Sequence, residues 1–278
     1  MKKIKMYQVD AFSSEIFSGN PAAVCPLNEW LPDHVMQSIA SENNLSETAF
    51  FINQKGKFFI RWFTPKVEIG LCGHATLASA HVLYSELGLK VNNIEFHTKL
   101  GDLLKITREG DIISMDFPSH VPKKSEQSLD EIGEALGAQP ISFQAAIYGL
   151  AVFNNEEEIL NLEPNFIAMK RLVHDGIIVT APGNSVDFVS RFFGPKLGIT
   201  EDPVTGGAHC SLIPYWSNRL VKNNLIARQL SKRGGELYCE QHGDRVAIGG
   251  KAVTYPRGEL LISWCLNLKI AVYRGRGY

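Results

Sequence analysis

Alternating apolar and polar residues recur along the chain and predict many strands and few helices. Segments rich in β-branched and aromatic side chains, with alternating or continuous apolar residues, are typical of strands. The segments predicted as strands are 4–12, 48–52, 58–63, 103–107, 112–117, 177–180, 186–192, 237–239, 246–248 and 260–268. Strands that do not alternate regularly with helices indicate the α+β class.

Helical periodicity is confined to a few segments. A proline suited to a first turn predicts a helix over 32–43, and a second helix over 73–87 ends at Gly88, which suits a left-handed cap. Further helices are predicted over 129–136 and after Gly206. The predicted helices at Gly73 and Gly206 start nearly half the chain length apart. This spacing predicts two similar domains, each with strands around one such helix.

The predicted domain boundary lies in a polar stretch in the middle of the chain. Residues 119–128 contain a proline and two lysines, which is typical of a linker. We therefore predict an N-terminal domain over 1–118 and a C-terminal domain over 119–278. The sequence leaves open whether the last strand pairs with the first domain.

Composition and net charge argue against some classes of binding partner. Apolar residues make up 45% of the chain and charged residues 21%, and 28 Lys+Arg against 29 Asp+Glu give a net charge of −1. Such a surface has no electrostatic reason to bind nucleic acid or an anionic membrane. The five cysteines form no CxxC pair, which suits a reducing cytoplasm. No apolar run approaches the ~20 residues of a spanning helix, so we expect a soluble cytoplasmic protein.

The two glycine-led helix starts carry the first candidate chemistry. A first helical turn offers unpaired N–H groups to an anion, and glycine lets a ligand approach the backbone. The starts at Gly73 and Gly206–Gly207 could together bind a small acid, although tight packing explains each glycine singly. His74 and His209 lie at the same starts. A helix start lowers the pKa of a histidine, so that the neutral imidazole serves as a hydrogen-bond donor to a substrate. The alternative is that each histidine forms a hydrogen bond with a backbone carbonyl.

Two carboxylates and two thiols complete the candidates. Glu47 lies between a predicted helix and an apolar strand, where burial would raise its pKa and make it a stronger base toward carbon. Asp202 precedes the second helix start and is alternatively an N-cap or turn former. Cys72 and Cys210 could deprotonate and reprotonate a substrate from two sides, or be small buried residues. We expect Cys210 to lie beyond the ligand-facing turn, and no metal-ligand spacing accompanies the histidines.

Short runs in a fixed order extend from residue 9 to about residue 253. They are Val9-Asp10-Ala11-Phe12, Gly19-Asn20-Pro21-Ala22-Ala23-Val24, Leu45-Ser46-Glu47-Thr48-Ala49-Phe50, Arg61-Trp62-Phe63-Thr64-Pro65 with Glu68, Leu71-Cys72-Gly73-His74-Ala75-Thr76-Leu77-Ala78, Ser190-Arg191-Phe192-Phe193-Gly194-Pro195, Glu201-Asp202-Pro203-Val204-Thr205-Gly206-Gly207-Ala208-His209 and Ile248-Gly249-Gly250-Lys251-Ala252-Val253. In this order the runs resemble the phenazine-biosynthesis PhzF-like family.

The resemblance implies a diaminopimelate-epimerase-like fold, in which two pseudo-symmetric domains each wrap a sheet or barrel around a central helix. It also implies a cofactor-independent isomerase, usually a homodimer, that moves a proton within a small carboxylate-bearing, unsaturated or amino-acid-like substrate. Glu47 matches the general acid/base, and His74 and Asp202 match residues that assist the transfer. The positions matched to substrate binding are Asn20, Ser46, Gly73, Thr205, Gly206 and Gly207.

Two departures and two alternatives accompany this resemblance. Gly207 stands where the family often has serine, so a hydroxyl that could contact the substrate is lost. The chain after Glu259 extends past the usual family end and is predicted as a final strand and a basic tail. One alternative function is a non-catalytic protein that binds small acids. The other is a thiol-based amino-acid epimerase using Cys72, which is weakened because no cysteine precedes the second helix start.

Overall fold

The protein is described by a computed structural model that covers residues 2–262. Its strands are β1 Lys2–Ala11, β2 Asn20–Leu27, β3 Glu47–Gln54, β4 Lys57–Phe63, β5 Glu68–Ile69, β6 Asn93–Thr98, β7 Leu103–Glu109, β8 Ile112–Pro118, β9 Lys123–Lys124, β10 Ser142–Ala145, β11 Gly149–Val152, β12 Ile177–Pro182, β13 Phe188–Phe193, β14 Asn224–Gln229, β15 Gly235–His242, β16 Arg245–Gly250 and β17 Ala252–Ile262. Its α-helices are α1 Asp33–Asn43, α2 Gly73–His81, α3 Leu129–Leu136, α4 Glu156–Leu160, α5 Phe166–Met169 and α6 Gly206–Leu220. The α+β prediction is confirmed.

The strand order repeats along the chain. In the first half, β2 is antiparallel to β1 and parallel to β3, β4 is antiparallel to β3 and parallel to β6, and β6, β7 and β8 form an antiparallel meander. In the second half, β10 to β16 repeat this order of parallel and antiparallel pairs. We use "first half" for β1–β8 and "second half" for β10–β16.

The two halves are joined by further strand pairs. β8 pairs antiparallel with β16, so one continuous sheet runs through both halves. The short strand β9 follows the first half but pairs with β10 of the second half. Similarly, β17 follows the second half but pairs with β1 of the first half, from Ala11↔Ala252 to Lys2↔Ile262. Each half therefore receives an edge strand from the other.

The sheet surrounds α2 and α6, the two glycine-led helices. Residues His74 to Ala80 of α2 are all buried, and most of α6 is buried as well. A helix enclosed by strands has no polar face, and the alanines of α2 let the strands approach closely. Apolar residues of both halves, including Trp62 and Trp216, form one continuous core around these helices. The starts of α2 and α6 therefore have fixed positions inside the fold.

The structure changes several of the predicted helix and strand bounds. The helix predicted over 73–87 is α2 followed by a π-helical turn, Val82–Glu86, and Gly88 has the expected positive φ of 70°. Strands β2, β6, β11 and β14 lie where no strand was predicted. The strand predicted over 260–268 and the basic tail fall largely outside the described residues, and the domain boundaries stay a prediction. Within residues 2–262, no helix combines the length and apolar character that crossing a membrane requires.

Candidate active site

The structure brings the two glycine-led helix starts together. A Cβ atom added to Gly73 would lie 3.8 Å from the Cα atom of Gly206, so the two backbones face each other at close range. Beside them opens a cavity of about 370 Å³. Of the predicted site residues, those that line it are Ser46, Glu47, Gly73, His74, Asp202, Thr205, Gly206 and Gly207. Segments far apart in the sequence thus meet at one cavity.

Glu47 and His74 form a close pair at this cavity. Glu47 is the first residue of β3, His74 is the second residue of α2, and both are buried. Glu47 Oε2 lies 3.1 Å from His74 Nε2. The two atoms are in ion-pair contact but are not aligned for a hydrogen bond, and neither has another hydrogen-bond partner. Buried polar atoms without partners are rare, so this pair is available to a bound ligand.

The protonation of His74 differs from the sequence-based expectation. Burial disfavours the charged imidazolium, but the Cys72 sulfur and the Glu47 carboxylate outweigh burial and raise the pKa of His74 well above its usual value. Cys72 Sγ lies 3.5 Å from His74 Nδ1, whereas Glu47 contacts the other ring nitrogen. The expectation of a pKa lowered by the helix start is therefore wrong. Close acidic neighbours dominate the weaker field of the helix start.

The Asp202 carboxylate is held by two hydrogen bonds, one from Asn20 and one from Thr205. Asn20 Nδ2 donates to Asp202 Oδ1 at 2.9 Å and to the Val204 carbonyl at 2.8 Å, and Thr205 Oγ1 donates to Asp202 Oδ2 at 2.6 Å. Burial raises the pKa of Asp202, while the charge of His74 opposes that rise. Asn20 is fully buried behind Asp202 and does not line the cavity. It positions a carboxylate, a different role from the substrate contact expected for it.

The segment that carries Asn20 is held by a buried ion pair. Arg233 donates from Nη2 to Asp10 Oδ1 at 2.8 Å, and from Nε to the Gly19 carbonyl at 2.8 Å. The backbone N–H of Phe17 donates to the other Asp10 oxygen at 2.9 Å. Asp10 is 1% exposed, so its charge depends on these partners. Arg233, which sequence reasoning did not select, therefore fixes the loop before Asn20.

His209 points away from the cavity. It is fully buried, its Nδ1 lies 2.9 Å from the Thr205 carbonyl, and its ring packs near Phe188. Burial lowers the pKa of His209 to about 4, so the ring is neutral at physiological pH. The alternative of a histidine bonded to a backbone carbonyl is confirmed. The two histidines of the paired motifs thus have different environments.

Both candidate thiols line the cavity. Cys210 follows Gly206 by about one helical turn and lies on the same face of α6, so the expectation that it lies beyond the ligand-facing turn is wrong. Burial raises the pKa of Cys210 to about 12 and also raises the pKa of Cys72. Burial therefore makes the thiolate form of both residues costly, so neither thiol is a ready base.

Sequence reasoning missed two polar residues that line the cavity. Tyr148 follows β10, and its ring comes within 4.0 Å of a Cβ atom added to Gly207. Burial raises the pKa of Tyr148, so its hydroxyl stays a donor. His120 follows β8, and its backbone N–H donates to the Cys210 carbonyl at 2.9 Å. Both residues lie in loops without a motif, and only the fold brings them to the cavity.

The remaining cavity wall is largely apolar. The apolar lining residues include Ile69, Leu71, Phe117, Ile147, Phe192, Leu197, Ile199 and Val204.

One side-chain cluster at the cavity has the composition of a metal site. Among the described residues, Glu47, Cys72 and His74 each offer one ligand atom, and these atoms lie within 4.8 Å of one another.

Comparisons with known proteins agree with this geometry. A sequence profile described as "Phenazine biosynthesis-like protein" matches residues 9–258. An uncharacterized isomerase of Pseudomonas aeruginosa is 48% identical over 262 residues, which cover 94% of this chain and all of that protein. A crystal structure of a PhzF-family protein from Enterococcus faecalis is 46% identical, with a TM-score of 0.92 over 94% of this chain and 100% of that one. A hydroxyproline epimerase from Agrobacterium vitis, 10% identical with a TM-score of 0.59 over 93% of this chain and 92% of that one, shares the fold alone.

Proposed function

Because the chain belongs to the phenazine biosynthesis-like family and is an isomerase of that family, we propose that it moves a proton within a small acid. The proposed substrate carries a carboxylate and is unsaturated or amino-acid-like. Glu47 is the general acid/base, and His74 and Asp202 assist it. With relatives that are named isomerases, a non-catalytic binding protein is the weaker alternative.

The observation that carries this proposal is the pair of buried atoms without hydrogen bonds, Glu47 Oε2 and His74 Nε2, 3.1 Å apart. A positioned general base accelerates proton transfer by roughly 10²–10⁴-fold. Glu47 takes a proton from one substrate carbon and returns a proton to another. The adjacent imidazolium of His74 donates to the substrate atom on which negative charge develops.

The two helix starts suit the acidic part of the substrate. The first-turn N–H groups at Gly73, Gly206 and Gly207 lie at the cavity, and a Cβ atom added at Gly73 or Gly206 would lie 3.8 Å from the backbone of the other glycine. Ser46 and Thr205 add hydroxyl groups nearby. A carboxylate bound there would place its neighbouring carbon near Glu47. The apolar wall then accommodates the rest of the molecule.

The test is exchange of substrate protons in heavy water. A panel of small unsaturated and amino-acid-like carboxylic acids is incubated with the protein in D₂O, and deuterium incorporation is followed by NMR. The Glu47→Gln variant should lose exchange by about 10²–10⁴-fold. Glu42→Gln, which removes an exposed carboxylate five residues earlier, is the matched control. Equal exchange by the Glu47→Gln variant and the parent protein would refute the role of Glu47.

The second candidate function is the thiol-based epimerase. It is favoured by one observation: Cys72 and Cys210 both line the cavity, and Cys72 Sγ lies 3.5 Å from His74. It is opposed by burial, which raises the pKa of both thiols. This mechanism predicts inactivation by thiol alkylation and loss of exchange in Cys72→Ser. Full exchange in that variant would exclude it.

The proposal extends to assembly and cofactor use. By analogy with the family, the protein is a cytoplasmic homodimer that needs no added cofactor. Light scattering after size-exclusion chromatography would measure its mass in solution. Exchange that persists after dialysis against a chelator would support cofactor independence, and loss of exchange would contradict it.

A further inference from the structure

Glu47, Cys72 and His74 form a compact set of three different ligand types. One carboxylate oxygen, one sulfur and one imidazole nitrogen lie within 4.8 Å of one another, and all three residues are buried. Two of the atoms concerned, Glu47 Oε2 and His74 Nε2, have no hydrogen-bond partner. The cluster faces the cavity through all three of its members. A ligand in the cavity can therefore reach the cluster.

We propose that this cluster binds a zinc ion reversibly, with Glu47, Cys72 and one nitrogen of His74 as its protein ligands. A nitrogen, a sulfur and an oxygen donor match the preferences of Zn²⁺. The fourth position of the ion opens into the cavity. Three protein ligands with one open position is the arrangement of zinc sites that exchange their fourth ligand.

Zinc requires the three ligand atoms to lie closer together than the 4.8 Å within which they are found, so the side chains must close around the ion. Bonds of about 2.0 Å to nitrogen or oxygen and about 2.3 Å to sulfur place tetrahedral ligand atoms roughly 3.3–3.8 Å apart. Glu47 Oε2 lies 3.1 Å from His74 Nε2, and Cys72 Sγ lies 3.5 Å from His74 Nδ1. These contacts use different nitrogens of His74, and the ion takes only one of them. Zinc binding therefore requires the side chains of His74, Cys72 and Glu47 to turn toward one common point.

Zinc binding displaces protons from the cluster. The Cys72 thiol loses its proton to solvent when the sulfur binds the ion, and an imidazolium at His74 loses the proton of the ligating nitrogen. No electron transfer is involved, because zinc has no redox chemistry. The affinity for zinc should consequently rise with pH.

The consequence for activity rests on the proposed function. A zinc ion on Glu47 and His74 occupies the atoms that the proposed proton transfer uses, so it should inhibit exchange, and a chelator should restore it. Binding itself needs no substrate and is measured separately. Failure of the proposed function would therefore leave the zinc site intact, and absence of the zinc site would leave the proposed function intact.

The experiment measures binding of Zn²⁺ and of Co²⁺, its spectroscopic substitute, to the full chain. The background is Cys265→Ser, which removes the thiol outside the described residues. We expect one Co²⁺ per chain, an intense thiolate-to-cobalt absorption band and displacement of the band by Zn²⁺. Cys72→Ser should abolish the band and lower zinc affinity by more than the roughly 10- to 100-fold that outer-shell changes cost. Cys210→Ser, which removes the other cavity thiol of similar burial, should retain the band.

Two results would overturn the proposal. One is the absence of a thiolate band in the parent chain at saturating Co²⁺. The other is a band that persists in Cys72→Ser. If Cys72→Ser fails to fold, Glu47→Gln provides the second variant, because it should weaken zinc binding while the thiolate band from Cys72 remains. Unchanged zinc affinity in that variant would also contradict the assigned ligand set.

Discussion

The two halves of the molecule share a scaffold down to individual side chains. In the first half, Arg61 on β4 pairs with Glu68 and lies over the Phe63 ring. In the second half, Arg191 on β13 pairs with Glu201 and lies over the Phe193 ring. Each of these motifs is followed by a glycine-led helix in the core. The repeated sequence therefore encodes a repeated local structure.

The helix starts differ where they face the cavity. The start at Gly73 carries a histidine that contacts Glu47, whereas the histidine of the second start, His209, points into the core. The second half instead supplies Asp202, held by Asn20 from the first half. The duplicated fold thus provides two similar glycine-led helix starts at one cavity. The side chains around them give each start a different chemical environment.

The largest contrast is expected between the two histidines. His74→Gln should lower the exchange rate by about 10²–10⁴-fold, because it removes the charged partner of Glu47. His209→Gln should change the rate less than tenfold and lower the free energy of unfolding by about 1–2 kcal/mol, because it disturbs a buried hydrogen bond. Exchange kinetics and urea unfolding of both variants measure this. The reverse pattern would show that the second helix start holds the acid/base machinery.

The pH dependence of stability separates the same residues. The pKa of His209 is about 4 in the folded protein, below the ordinary value of 6.5, so the unfolded chain takes up the proton first. Stability from His209 is therefore full above pH 6.5 and is lost as the pH falls toward 4. The loss amounts to about 3 kcal/mol. His74 has the opposite sign, because its raised pKa stabilises the fold below pH 6.5 and that contribution is lost as the pH rises through the raised value.

Urea unfolding of the parent protein and His209→Gln between pH 4 and pH 7 tests this sign. The parent should be the more stable protein at pH 7, and the difference should shrink or reverse at pH 4. Other groups titrate in both proteins and cancel in the difference. A constant difference across this range would contradict the neutral, buried state of His209.

Part of this comparison could be predicted from the sequence. The spacing of Gly73 and Gly206 indicated two similar helix starts, because a buried helix against strands needs small residues at its close contacts. Glu47 was selected because it lies where a helix gives way to an apolar strand. Each of these signals is local, and local signals are what periodicity and motif reading detect.

The rest of the site depends on contacts between distant segments. Nothing near Asn20 in the sequence shows that its amide meets Asp202, because that contact follows from the close approach of the two halves. Likewise, the raised pKa of His74 depends on Cys72 and on Glu47, and Glu47 arrives from strand β3, which is distant in the sequence. Tyr148, His120 and Arg233 lie outside any helical or strand pattern that could have selected them. Their roles appear only in the folded chain.

The contact between the halves is tested at Arg233. Arg233→Met should lower the free energy of unfolding by about 1–3 kcal/mol, because it leaves the buried Asp10 carboxylate without its charged partner. Lys3→Met, which removes an exposed pair with Glu259, is the control and should cost less than about 1 kcal/mol. Urea unfolding measures both. Equal losses would show that the buried ion pair contributes no more than a surface pair.

The smallest expected effect is at Gly207, where the second helix start lacks a side chain. Serine fits there, because the nearest atom to an added Cβ is Tyr148 Cε2 at 4.0 Å and the position is helical. Gly207→Ser should raise the free energy of unfolding by only about 0.5 kcal/mol, through the better helix propensity of serine. The added hydroxyl faces the cavity, so the Michaelis constant should change more than kcat for any acid found in the exchange screen.

Gly88→Ser, at a glycine with positive φ outside the cavity, is the contrasting control and should destabilise the protein. A large loss of stability in Gly207→Ser would mean that this glycine is needed for packing, and the difference between the two helix starts would then be structural.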